Sequence, residues 1–273
     1  MTRYLVVPQW QGSPSTRAMQ LIDGAHAIAG DLPRSATTIL DVPIEAGESL
    51  GTGIRRLSTL QRVRAQVEEA LSSHDEPVLT IGGDCGVALG PIAHAVARHP
   101  DLAVVWIDAH PDFNTPETSP SGAFAGMVLR AIVGDGDPAL VLDEGAVAPG
   151  RVVLVATRSY DDAELEAIEE RGIRIVPADA LGEAKALAEA VAATGADSVY
   201  IHVDVDALDP AELAGNAHPE PFGVRAADLT AAIAAVRDAV PLVGATLAGY
   251  SPASRDAATD DLGTLLRIVG ALA

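Results

Sequence analysis

The sequence predicts an α/β protein in which a parallel sheet is covered by helices. Two observations carry this: eight short β-rich runs recur along the chain, and helical spacing fills the segments between them. A third agrees with it. The unusual residues, clustered Asp and His, follow directly on the runs, where parallel α/β proteins build their sites.

The expected strands are Arg3–Pro8, Thr37–Val42, Pro77–Ile81, Ala103–Ile107, Arg151–Ala156, Ile173–Val176, Ser198–Val203 and Pro241–Leu247. Across Arg55–Ser72, Leu57, Leu60, Val63, Val67 and Leu71 recur every three or four residues, which predicts an amphipathic helix. Ala-rich stretches near 184–193 and 226–239 behave alike, while Gly134–Pro138 and Asp143–Gly150 read as surface loops. No linker, repeat or low-complexity tract divides the chain, so one domain over 1–273 is expected. Periodicity does not choose between a closed barrel and an open doubly wound sheet.

The chain has 273 residues, with 38 Asp+Glu against 18 Lys+Arg and a net charge of -20. Such a surface repels phosphate, which argues against nucleic acid or an anionic membrane as partner. One cysteine makes no internal disulfide. The start, MTRYLVVPQWQGSP, lacks the apolar stretch of a signal peptide, and Val240–Tyr250 is too short to span a bilayer. A soluble cytoplasmic protein is expected.

Three strand ends carry the chemistry. TIGGDCG brings Asp84 and Cys85, VVWIDAHPDFN brings Asp108, His110, Asp112 and Asn114, and YIHVDVDALDP brings Asp204, Asp206 and Asp209. In extended backbone, residues i and i+2 point the same way, so Asp108, His110 and Asp112 converge, as do Asp204 and Asp206. Packing these groups together is costly unless cations offset them. Carboxylates with imidazole suit a divalent ion, Mn²⁺ ahead of Mg²⁺ and Zn²⁺, and the number of donors suggests a pair. Two such ions can bridge a water and deliver hydroxide at neutral pH. A lone Asp after a strand is usually a cap or turn residue, and Asp84 and Asp209 read that way.

IGGDCG, DAHPDFNTP…SG and HVDVDALDP, in this order and spacing, resemble the arginase/ureohydrolase family from about Ile81 to Pro252. The resemblance implies a three-layer α/β/α fold with a central, mostly parallel eight-stranded sheet, and not the barrel. It implies two Mn²⁺ per chain and hydrolysis of guanidines or related amidines. Carried over by motif, the metal ligands are Cys85, Asp108, His110, Asp112, Asp204 and Asp206, with Asp112 also orienting the bridging hydroxide. Members of the family are commonly trimers or hexamers, so a homo-oligomer is compatible with it.

Three positions depart from the family pattern. GGDH has become GGDC, so Cys85 binds, if it binds, as a softer thiolate. Ala125 stands where arginases carry a His that assists proton transfer, and Gly249 falls where they carry a Glu that clamps the guanidinium. The amino-acid end is kept: Asn114, Ser119 and Ser121 match residues that hold the substrate α-carboxylate, and Asp161 and Glu164 match those that contact the α-amino group. Asp161 also reads as a helix N-cap with Glu164 as its capping-box partner, and capping and binding can coexist.

A site that reads an α-amino acid but lacks groups for a plain guanidinium suits Nω-hydroxy-L-arginine, hydrolysed to L-ornithine and hydroxyurea. The pattern is similar to family members that do this in antibiotic biosynthesis of the D-cycloserine type. His218, in the loop after Asp209-Pro210, is the candidate proton handler. His202 falls on the same face as Asp204 and reads as support for it, while His26, His74, His94 and His99 read as structural or solvent-facing. The alternatives are an arginase, another guanidino- or formimino-acid hydrolase, and a non-catalytic member that binds an amino acid.

Overall fold

The computed structural model describes residues 2–273. Its strands are β1 (Arg3–Val7), β2 (Thr37–Ile39), β3 (Val78–Gly82), β4 (Leu102–Ile107), β5 (Val152–Val155), β6 (Arg174–Val176), β7 (Ser198–Asp204) and β8 (Leu242–Ala248). They form one sheet in the order β2-β1-β3-β8-β7-β4-β5-β6, every neighbouring pair parallel. The sheet is open, with β2 and β6 at its edges, so the barrel alternative is excluded. The eight expected runs all contain strands; the largest shift is at the edge strand β2, which stops at Ile39 instead of Val42.

The helices are α1 (Gln20–Ala29), α2 (Leu57–Leu71), α3 (Leu89–Arg98), α4 (Val128–Ile132), α5 (Asp162–Arg171), α6 (Lys185–Ala192), α7 (Ala226–Ala239) and α8 (Arg255–Leu272). Strand alternation sorts them into two layers. On β4, Ala103, Val105 and Ile107 pack with apolar residues of α1, α6, α7 and α8, such as Ile28, Val191, Ile233 and Ile268. Leu102, Val104 and Trp106 pack the other way, with Leu60, Ile92, Leu129 and Ile168 of α2, α3, α4 and α5. Both faces of the central strands are covered, which is why these runs are apolar throughout rather than alternating.

This layering positions the site. The chain leaves β3 and β4 towards the layer of α3 and α4, and leaves β7 and β8 towards that of α7 and α8. Adjacent strands β3/β8 and β7/β4 therefore send their following segments to opposite sides. Crevices open there, above the carboxyl ends of the four central strands.

Candidate active site

A cleft lies above those ends, and all the candidate ligands line it. Cys85 opens a 3-10 turn directly after β3. Asp84 caps that turn by accepting from the Gly86 amide at 2.9 Å, and it is fixed in turn by Gln9 Nε2 (2.9 Å) and the Gly12 amide (2.8 Å). With its oxygens so occupied, Asp84 serves the turn that presents Cys85. The Cys85 Sγ lies 2.8 Å from Asp204 Oδ2 and 3.7 Å from Asp108 Oδ2. Burial, followed by the charges of Asp204, Asp112 and Asp108, pushes this thiol up.

Asp108 and His110 follow β4. The His110 amide donates to Asp108 Oδ1 at 2.7 Å, and its Nδ1 lies 2.9 Å from Asp206 Oδ2. Asp112 has a left-handed backbone (φ 52°), uncommon for a residue with a side chain. Its Oδ2 is buried and has no hydrogen-bond partner. Asp204 ends β7; its Oδ1 accepts from the Asp206 amide at 2.8 Å.

The electrostatics describe a crowded anionic pocket. Burial and neighbouring carboxylates raise Asp108 and Asp112, lift Asp204 to about 7 and lift Asp206 to about 6. Burial opposes a charge on His110, but Asp108 and Asp206 outweigh it and push its pKa up to about 12. A proton on this ring thus does what a cation would do better: it offsets the anions around it.

The donors fit a pair of cations. Asp108, His110 and Asp206 place ligand atoms within 4.8 Å of one another, and so do Cys85, Asp108 and His202. The two triads share Asp108, which suits a carboxylate bridging two ions. The unpartnered Asp112 Oδ2 is a further idle donor beside them.

Away from this cluster the cleft is polar and ordered. Ser119 Oγ accepts from the Gly122 amide and Ser121 Oγ from the Ala123 amide, both at 3.1 Å, and the two hydroxyls lie 3.4 Å apart, so one donates to the other and the other's proton is left for a ligand. Asn114 Nδ2 donates to Asp161 Oδ2 at 2.9 Å. Glu164 is committed at both oxygens, to the Phe113 amide (2.8 Å) and the Asp161 amide (3.0 Å). It therefore ties the start of α5 to the segment carrying Asp112. His218 also lines the cleft, with its Nε2 buried and unpartnered; burial, then the charge of His110, lowers its pKa.

The two departures on the far side are physical. Ala125 lines the cleft with only a methyl group. Gly249 has φ +84°, and a Cβ there would collide with the Asp204 carboxylate. A side chain there, a glutamate included, would need a strained left-handed backbone and a shift of the Asp204 carboxylate.

Sequence reasoning missed several residues that shape the site. Arg158 donates to the carbonyls of Ala156, Asp206, Glu220 and Pro221 at 2.8–2.9 Å, which straps the His218 loop to the end of β7. Ser13, Pro14 and Leu21 line the cleft from the amino-terminal segment, and Asn216 lines it beside His218. Nothing local in the sequence marks the strap or these lining residues, because Asp206, Glu220 and Pro221 lie far from Arg158 in the chain. His26, His74, His94 and His99 do not line the cleft.

Fold and site together define a parallel α/β protein with a metal-binding cleft at a topological switch point. The family model of the arginase family matches residues 16–268. The chain is 37% identical to arginase from Bacillus caldovelox over 66% of its own length and 65% of that protein's, so the match spans just under two thirds of that relative. It is 36% identical to N(omega)-hydroxy-L-arginine amidinohydrolase from Streptomyces lavendulae, over 77% of this chain and 74% of that one. Among solved structures, arginase from Entamoeba histolytica in complex with L-ornithine has the same fold, with a TM-score of 0.87 over 99% of this chain and 97% of that chain at 24% identity. The chain belongs to the arginase family, whose members are metal-dependent amidinohydrolases.

Proposed function

We propose that residues 1–273 act as one catalytic domain that hydrolyses Nω-hydroxy-L-arginine to L-ornithine and hydroxyurea with two Mn²⁺ per chain. The observation that carries this is the contrast across the cleft. The amino-acid end presents the paired hydroxyls of Ser119 and Ser121 and the Asp161 carboxylate, while the far end offers only a methyl at Ala125 and no side chain at Gly249. The relative from Streptomyces lavendulae, 36% identical, acts on that substrate by its name.

When bound, the cations supply activated solvent at neutral pH and draw electron density from the guanidino carbon. The chain's own residues do the rest. The Ser119–Ser121 pair donates to the α-carboxylate, with Asn114 beside it, and Asp161 accepts from the α-amino group while Glu164 fixes its backbone. Asp112, whose buried Oδ2 is otherwise idle, orients the attacking water. The bond from the guanidino carbon to the side-chain nitrogen breaks, and that nitrogen leaves as the ornithine amine with a proton delivered by way of His218. The N-hydroxyl lowers the basicity of the guanidine, so a site without a carboxylate clamp can take the neutral form. Cys85 serves as a thiolate ligand, which suits a reducing cytoplasm.

A charged hydrogen bond lost from a buried site costs about 1.5–3 kcal/mol. The expected kcat/KM therefore favours hydroxyarginine over arginine by at least about tenfold. A product assay for ornithine, urea and hydroxyurea decides it, and a preference for arginine removes the specificity reading in favour of an ordinary arginase, which the 37% identity to the Bacillus caldovelox enzyme favours. His218→Ala is expected to lower turnover at least about tenfold with little change in KM; a loss below twofold takes the proton role away from it. If hydroxyarginine is the substrate, a hydroxyurea-requiring step of an antibiotic pathway of the D-cycloserine type is its place.

A further inference from the structure

His202 lies within β7, two residues before Asp204, with none of its surface exposed. Its register partner on β4 is Trp106, and the two rings stack with centroids 3.6 Å apart and planes 14° apart. The stack fixes the plane of the imidazole and leaves only its edge to meet other groups. Neither ring nitrogen has a hydrogen-bond partner. A buried polar group is ordinarily satisfied, so two idle nitrogens on one fully buried ring call for an explanation. The explanation lies at the edge: a ring nitrogen, Cys85 Sγ and an Asp108 carboxylate oxygen are all within 4.8 Å of one another. Asp204 adds an oxygen 2.8 Å from the same sulfur.

We propose that His202 is a metal ligand, joining Cys85 at the cation position on the β3 side. This rests on the binuclear reading above and adds a ligand to it. The two positions then differ in kind. One is built of imidazole, thiolate and carboxylate; the other has His110, Asp206 and the shared Asp108. Nitrogen and sulfur donors favour a softer ion, so the β3-side position prefers Zn²⁺ over Mn²⁺, whereas the other keeps a harder set.

X-ray absorption on the full chain loaded with Zn²⁺ reads the ligands directly. The expected result is one sulfur and two imidazoles per chain, with His202→Gln leaving one imidazole and His218→Gln leaving two. Dialysis against equimolar Mn²⁺ and Zn²⁺ gives a second readout: the wild-type chain retains one Zn²⁺, and His202→Gln loses that preference by at least about tenfold. A single imidazole in the wild-type chain, or two persisting in His202→Gln, overturns the ligand role while leaving the binuclear centre standing. A chain that takes up no cation overturns both. Because the His218→Gln count depends only on the remaining rings, the test survives if His202→Gln does not fold.

Discussion

Asp108→Asn is expected to lower kcat by at least about 10³-fold and to reduce retained metal from two ions per chain to one or none. Losing a group that merely supports a metal ligand already costs about 10–100-fold in affinity or activity. Asp108 stands closer to the chemistry than that, since it belongs to both donor triads. Its Oδ1 also accepts the His110 amide at 2.7 Å, a bond that Asn can keep. Asn keeps the shape and the Oδ1 acceptor but removes the charge and one oxygen donor. The effect thus reports on bridging and not on folding. Metal analysis of the purified variant, with its melting temperature as a control, checks this. An Asp108→Asn chain that keeps two ions and full turnover would show that the bridge lies elsewhere.

Mn²⁺ is expected to raise the melting temperature by about 5–10 °C at a hundredfold excess over its Kd. The arithmetic is linkage: one such site contributes about 2.7 kcal/mol, and a chain of this size shifts about 2–4 °C per kcal/mol. The pH dependence carries the sign. With chelator present, Asp204 and Asp206 hold protons in the folded chain that they release in the unfolded one, since their pKa values of about 7 and about 6 exceed the ordinary carboxylate value. The folded state then binds more protons, so stability falls as pH rises from about 4 through 7. The raised His110 acts in the same sense: its contribution is fully present below its unfolded pKa and is lost as pH rises from there towards about 12. With Mn²⁺ present the carboxylates must lose their protons to bind, so the ion's stabilising effect grows over the same range. Thermal melts at pH 5 and pH 7, with and without Mn²⁺, read both trends. An equal Mn²⁺ shift at the two pH values would argue against ligation by these carboxylates.

Much of this was legible before any coordinates. The Asp-x-His-x-Asp and Asp-x-Asp motifs stand at the ends of the adjacent strands β4 and β7, but not through the two-residue period of extended chain: Asp112 has a left-handed backbone and Asp206 lies in the 3-10 turn Val205–Ala207, so turns beyond the strands aim these side chains into one cleft. Apolar runs such as Val104–Ile107 marked strands covered on both faces. The open sheet was not legible from periodicity, because β/α alternation is common to barrels and doubly wound folds. α3 was not delimited, since Gly90 and Pro91 interrupt its first turn, and α8 begins with the polar stretch Arg255–Asp261. The strap from Arg158 and the orphaned ring of His202 were beyond reach for another reason. Each depends on a cross-strand neighbour far away in sequence, and nothing local marks it. Gly249 could be aligned with the glutamate of the family by resemblance, but the collision with Asp204 that favours glycine there needed three dimensions.

The most direct test is anomalous diffraction at the manganese edge from crystals grown with Mn²⁺. Two peaks per chain, one beside Cys85 and the other beside His110 and Asp206 with Asp108 between them, are the expected result. A single peak, or manganese found only on the acidic surface with these side chains turned away from it, would contradict a paired-cation centre at the ends of β3, β4 and β7.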